Sequence, residues 1–320
     1  MGESHLPRQS SHAVGLRDVT LRDGLQDEVP ISLAAKMEIF EALLAAGVKD
    51  LELTSFVRAD RVPAMADADE FARATSGAEA TRWALVLNSR GAERALEASI
   101  GHLQFVVSVS DTHSRHNAGR PTAQAMVEFD GIVSAAHHVG CVVELTLATA
   151  FGCPYEKEVD PLVVERLAGE AHSMGVAGVS LADTIGVATP LEVEALVARV
   201  SGAGIPVGVH LHDTRGLAMA NALSALRAGA VRIDASVGGL GGCPFAPGAS
   251  GNLALEDLAH ALEMMGMATG LSVPSLIDAA GIACRATGRR IESHVGVAGP
   301  RDQAPSRRGG ELDLTVHARS

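Results

Sequence analysis

Short apolar runs alternate with helical patterns along the chain from about residue 14 to 268. The runs are AVGLRDVTL, KDLELTSF, TRWALVLN, LQFVVSVS, CVVELTLATA, VAGVSLAD, IPVGVHLHD and VRIDASV, and alanine-rich stretches of helical periodicity lie between them. In SLAAKMEIFEALLAAG, Ser32 stands where an N-cap is needed and Gly47 where the helix must stop. Eight strand-like runs, each followed by a helix, predict parallel βαβ units. Eight such units closing on themselves make a (β/α)8 TIM barrel, which usually takes about 250 residues. An open doubly wound sheet would want a GxGxxG turn early in the chain, and none is there. The predicted architecture is α/β: a flexible segment over 1–13, a TIM-barrel catalytic domain over 14–270, and a short C-terminal helical extension over 271–297. The extension is built on SVPSLIDAAGIACRATG, and a loose, disordered tail rich in Gly, Pro and charge follows over 298–320.

Composition narrows the function. Of 320 residues, 47% are hydrophobic but only 3% aromatic, so the expected core is large and made of small side chains. The net charge of −12 is spread along the chain, which argues against nucleic-acid binding because phosphate contacts need a basic footprint. No apolar run reaches the roughly 18 residues of a membrane helix. The segment MGESHLPRQSSHA has no hydrophobic signal core, so the expected location is cytoplasmic. Cys141, Cys153, Cys243 and Cys284 form no CxxC pair and are expected to be free thiols, without structural zinc.

In a barrel the chemistry sits at the C-terminal strand ends. There the pattern places Asp18, Arg22 and Asp23 after strand one, Glu52 on strand two, Asp183 at the tip of strand six, and His210 and His212 on strand seven. Charged and imidazole groups in or beside apolar runs cost free energy unless they are paired or bind a metal. His210 and His212 are two apart and share one face of a strand. In isolation such a pair reads as packed or solvated histidines. Barrel closure changes that reading, because strands seven, eight and one become neighbours and bring Asp23 and Asn252 to the same point. A His, His, Asp, Asn set without thiolate suits Mg²⁺ or Mn²⁺ and leaves positions open for substrate. Asp213 is available to support a ligating histidine.

These residues lie in RDGLQDE, LELTSFV, VPAMAD, FGCPYE, SLADTIGVATP, VHLHDTRGLAMANALSAL and GGLGGCPFAPGASGNLALEDL. In that order and spacing, over about residues 14 to 270, the chain resembles the 3-hydroxy-3-methylglutaryl-CoA lyase family of metal-dependent TIM-barrel lyases and synthases. The resemblance implies a divalent cation on Asp23, His210, His212 and Asn252, with no organic cofactor. It further implies that Arg22, Glu52, Asp183 and Glu256 line the reaction centre, and that Cys243 rides on a glycine-hinged loop closing over an acyl-CoA. The implied reaction is a retro-aldol (Claisen-type) cleavage between C2 and C3, giving acetyl-CoA and a ketone such as acetoacetate. Such chemistry needs a cation at the 3-hydroxyl, a guanidinium for the enolate and a proton for its carbon. Arg22 fits the enolate role, His210 or Asp23 the base, and Cys243, an acid of pKa about 8.5, the proton donor. Glu52 would orient Arg22, Asp183 would meet substrate or order water, and Cys153 reads as structural. By analogy with such barrels the expected assembly is a homodimer or higher homo-oligomer.

The chain departs from the family at the rim expected to meet the acyl group or CoA. Asp18 replaces a Glu, Asp60 a Lys, Arg61 a Trp, Asp111 and His113 a Glu and a Phe, and Arg215 a Tyr, while Asn117 is kept as a substrate-binding candidate. Lyase chemistry is therefore better supported than the methylglutaryl substrate. Competing readings are an acyl-CoA lyase with another acyl group, a condensing synthase, a 4-hydroxy-2-oxo acid aldolase, and an inactive metal-holding barrel. The GGCP loop disfavours the synthase and the aldolase, and the intact ligand set disfavours the inactive barrel.

Overall fold

The computed structural model describes residues 14–242 and 251–301. Eight parallel strands close in sequence order: β1 (Gly15–Asp18), β2 (Asp50–Ser55), β3 (Thr81–Val86), β4 (His102–Ser108), β5 (Val142–Ala148), β6 (Gly178–Asp183), β7 (Val207–Leu211) and β8 (Arg232–Ala235). β8 returns to β1 with Gly15 opposite Arg232 and Asp18 opposite Ala235. Around them run α1 (Leu33–Ala45), α2 (Ala68–Ala74), α3 (Ser89–Glu97), α4 (Asp111–Ala118), α5 (Thr122–His138), α6 (Pro161–Ser173), α7 (Pro190–Ser201), α8 (Ala218–Arg227) and α9 (Leu255–Met264). α10 (Val273–Thr287) then packs on α1 and α9, and α11 (His294–Ala298) follows. The chain is thus the TIM barrel its periodicity predicts. The expected flexible segment 1–13 and residues 302–320 of the expected tail lie outside the described residues.

Local chemistry sets the element ends. Ser32 accepts the Ala35 N–H at 3.2 Å, and Thr189 with Glu192 forms a reciprocal capping box before α7. One boundary differs from the pattern. The run AVGLRDVTL reads as one strand, yet β1 stops at Asp18 and a single π-helical turn, Thr20–Gly24, follows. The Gly24 N–H reaches back to the Val19 carbonyl at 3.0 Å. That turn brings the neighbours Arg22 and Asp23 into the same buried space.

The apolar core lies between strands and helices, with Leu53, Phe105, Leu145, Val209 and Ile233 packed with helix residues such as Ile39, Phe71, Phe129 and Leu167. Each fully buried side chain of this kind contributes about 1.5–3 kcal/mol. The inward strand face is polar instead. Arg17 on β1 and Arg232 on β8 both donate to Glu144 Oε2 on β5, at 2.9 and 2.7 Å, and such bonds can only cross the barrel interior. Arg17 also donates to Asp50 at 3.0 Å and stacks over Trp83 at 3.9 Å. Gly208 on β7 makes room for this layer, because a Cβ there would lie 2.6 Å from the Arg232 guanidinium. Among the described residues no helix is long and apolar enough to cross a membrane.

Candidate metal centre and active site

At the C-terminal strand ends, three side chains from two ends of the chain meet. Alternation on β7 turns His210 inward, and His212 follows with the same parity just past the strand. The π turn presents Asp23 beside them. His210 Nε2 lies 3.1 Å from His212 Nε2, and Asp23 Oδ2 is 3.7 and 3.5 Å from those two nitrogens. All three residues are buried, and among the described residues theirs is the one cluster of His, Cys, Asp and Glu with metal-ligand spacing. Two neighbouring ligands of an octahedral ion, each about 2.1 Å from it, would stand about 3.0 Å apart. The observed spacings fit such an ion.

Asn252 is delivered by backbone pairing. It bridges to His212, Leu253 N–H donates to the Leu211 carbonyl at 3.1 Å, and Ser236 N–H donates to the Leu253 carbonyl at 3.0 Å. Its Nδ2 donates to Asp23 Oδ2 at 2.7 Å and to the Leu240 carbonyl at 3.0 Å. Its Oδ1 is buried without a partner. A buried amide oxygen without a hydrogen bond is costly, and beside a carboxylate and two imidazoles it is the fourth donor expected for a cation.

Arg22 binds both Asp23 and Glu52, the latter at 2.6 Å, with all three side chains buried. Its charge is therefore fixed in place between two carboxylates. Burial works against ionisation of Asp23, but Arg22 and the two histidines outweigh it and hold the carboxyl well below its usual range. Burial instead pushes the Glu52 carboxyl up, against the pull of Arg22. Behind His210, Asp234 Oδ2 faces Nδ1 at 3.6 Å. Asp234 is a residue the sequence reading passed over. Its only signal was a carboxylate of inward parity inside the apolar run VRIDASV.

Other predicted residues lie elsewhere. Asp183 is buried at the tip of β6, but its two oxygens accept the Val187 and Ala188 N–H groups at 2.9 and 3.0 Å, shaping the loop before α7. Glu256, at the start of α9, accepts the Gly238 N–H at 2.9 Å. Burial raises its carboxyl to about 7, and likewise that of Asp18, which accepts from Thr20. Asn117 is exposed on α4 and makes no hydrogen bond to the cluster. Asp213 accepts the Ala218 N–H at 2.8 Å. Cys141, Cys153 and Cys284 are free and buried, and Cys153 Sγ accepts the Tyr155 and Glu156 N–H groups at 3.4 Å each, as a structural thiol does. Cys243 lies outside the described residues.

Comparison with known proteins adds to this geometry. The family model HMGL-like matches residues 13–282. The chain is 39% identical to (R)-citramalyl-CoA lyase of Chloroflexus aurantiacus, covering 90% of this chain and 95% of that one. It is also 39% identical to hydroxymethylglutaryl-CoA lyase YngG of Bacillus subtilis, covering 83% and 91%. Among solved structures, an HMG-CoA lyase from Acinetobacter baumannii in complex with coenzyme A and 3-methylmalate superposes with a TM-score of 0.87 at 33% identity, covering 93% of this chain and 98% of that one.

Proposed function

Since this chain belongs to the HMGL-like family and is a carbon–carbon lyase acting on an acyl-CoA, we propose that it cleaves 3-hydroxy-3-methylglutaryl-CoA to acetyl-CoA and acetoacetate. The observation that carries the reading is the convergence of Asp23, His210, His212 and the partnerless Asn252 oxygen beside a fixed Arg22 guanidinium. Those four residues would hold Mg²⁺ or Mn²⁺. When bound, the ion supplies Lewis-acid polarisation of the substrate hydroxyl.

The remaining work falls to the chain. Arg22, clamped by Glu52 and Asp23, offers a preorganised positive charge to the thioester oxygen as it becomes an enolate oxygen. With Nε2 turned to the cation position and Nδ1 to Asp234, His210 has no lone pair free while it ligates. Of the two candidate bases we therefore assign the hydroxyl proton to Asp23, whose carboxylate keeps lone pairs beside the site. Cys243 is assigned the proton that quenches C2. Support comes from the ends of its segment, since Leu240 and Asn252 are hydrogen-bonded to each other at the site. The exposed position of Asn117 suits contact with the CoA portion rather than with the reacting carbons.

A second substrate reading rests on the citramalyl-CoA lyase relative. Citramalyl-CoA also breaks between C2 and C3, with pyruvate in place of acetoacetate, and asks the same of these residues. Metal-stripped protein mixed with either thioester, with and without Mn²⁺, separates the two. Metal-dependent acetyl-CoA with acetoacetate supports the first reading, and acetyl-CoA with pyruvate the second. Neither product, from protein that binds Mn²⁺, would sink both. Cys243→Ala should retain Mn²⁺ and lose about 100- to 10,000-fold in kcat, the range for a positioned general acid.

A further inference from the structure

The charged layer inside the barrel reaches the candidate metal site through Asp234. On β8, Arg232 and Asp234 share the inward face, and Asp234 pairs in register with His210 on β7. Asp234 Oδ1 accepts from Arg232 Nε at 2.8 Å. Asp234 Oδ2 faces His210 Nδ1 at 3.6 Å, and neither atom has another hydrogen-bond partner. Arg232 Nη1 donates to Glu144 Oε2 at 2.7 Å, and Arg17 holds the same oxygen at 2.9 Å. Through Glu144 on the opposite wall of the barrel the connected order is Arg17, Glu144, Arg232, Asp234, His210.

The order matters because a neutral imidazole offers a lone pair on one nitrogen only when its proton sits on the other. His210 Nε2 faces Asp23 and His212, so it can ligate only if the proton is on Nδ1. A carboxylate opposite Nδ1 selects that tautomer, provided the carboxylate stays ionised where it is buried. Arg232 provides for this by placing its guanidinium against the carboxylate, Nε donating to Oδ1 at 2.8 Å. Glu144 and Gly208 in turn fix Arg232, the first by an ion pair and the second by the absence of a side chain.

We propose that Asp234 is a positioning residue which, held by Arg232 and Glu144, sets the tautomer and orientation of His210 and so forms the metal site before the ion arrives. The proposal rests on the reading of Asp23, His210, His212 and Asn252 as ligands. It differs from that reading in assigning a function to charges that otherwise look purely structural.

The test uses full-length, metal-free protein labelled with ¹⁵N at histidine. Long-range ¹⁵N–¹H spectra report which ring nitrogen of His210 carries the proton, with assignment from a His210→Gln variant. The wild type should show the Nδ1–H form. Asp234→Asn, whose amide can donate to Nδ1, should shift His210 toward the Nε2–H form. Calorimetric titration with MnCl₂ should then show affinity reduced about 10- to 100-fold, the usual cost of losing the partner of a ligating histidine. An Nε2–H form in the wild type overturns the proposal without recourse to any variant. Asp234→Asn protein that binds Mn²⁺ as tightly as the wild type overturns it as well. A wild type that binds no Mn²⁺ would overturn the ligand reading instead, and the tautomer spectra would still decide this one.

Discussion

Two charged clusters share one barrel, and they differ in whether opposite charges meet or lone pairs converge. In the lower layer Arg17, Arg232, Asp50, Glu144 and Asp234 answer one another through ion pairs of 2.7 to 3.0 Å. At the mouth, Asp23, His210, His212 and Asn252 turn donor atoms toward a common point, and the Asn252 oxygen has no hydrogen bond at all. Buried charges that satisfy each other specify a structure. Buried lone pairs that converge unsatisfied are arranged for something that comes from outside. The contact of Asp234 with His210 shows that the first kind can set the terms for the second.

The largest expected effect breaks the lower cluster. Arg17→Met leaves half-buried Asp50 without its cation and Glu144 with Arg232 alone. Since removing one partner of a fully buried pair costs about 3–5 kcal/mol, the low end of that range is expected. Urea unfolding should show that loss, and a change under about 1 kcal/mol would mean the layer is better hydrated than its burial implies. At the mouth, Arg22→Gln should lower kcat about 100- to 1,000-fold, equivalent to about 2.7–4 kcal/mol of transition-state stabilisation, in steady-state assays at saturating Mn²⁺. A fall in stability without a fall in kcat would move Arg22 into the structural class.

The smallest effect concerns two carboxyls that belong to neither cluster. Asp18 and Glu256 are buried with no cationic partner among the described residues, and burial raises both to about 7. A folded-state value above the unfolded one means that the stabilising contribution is fully present below about pH 4 and is lost as pH rises toward 7. Asp18→Asn should therefore gain stability relative to the wild type across that window, read as urea midpoints at successive pH values. Parallel profiles for the two proteins would show that Asp18 is not the source.

The barrel was legible because its evidence is periodic. Eight apolar runs with helices between them admit few closures, and the spacing of His210 and His212 fixes a shared face whatever the packing. The lower cluster was not legible, for a physical reason. Alternation of polar and apolar residues, as in VRIDASV, is the signature of a strand with one face in water. Only closure of the sheet turns that face inward, where Arg232 and Asp234 meet Arg17 and Glu144 from strands more than eighty residues away. Asp183 illustrates the reverse difficulty. A carboxylate at a strand tip reads as chemistry, and nothing in the sequence shows that two loop amides occupy its oxygens. The stop of β1 at Asp18 was hidden as well, since a π turn leaves no periodic trace within five residues.

Gly208 carries a consequence for how such a barrel can change over generations. A methyl group at that position would meet the Arg232 guanidinium at 2.6 Å, so residue 208 cannot grow until residue 232 has shrunk. Shrinking residue 232 first strips Asp234 and Glu144 of the cation they share. Either order of substitution passes through a handicapped ancestor, and descent should therefore transmit the glycine and the arginine together, as one inherited unit written at two distant places in the chain.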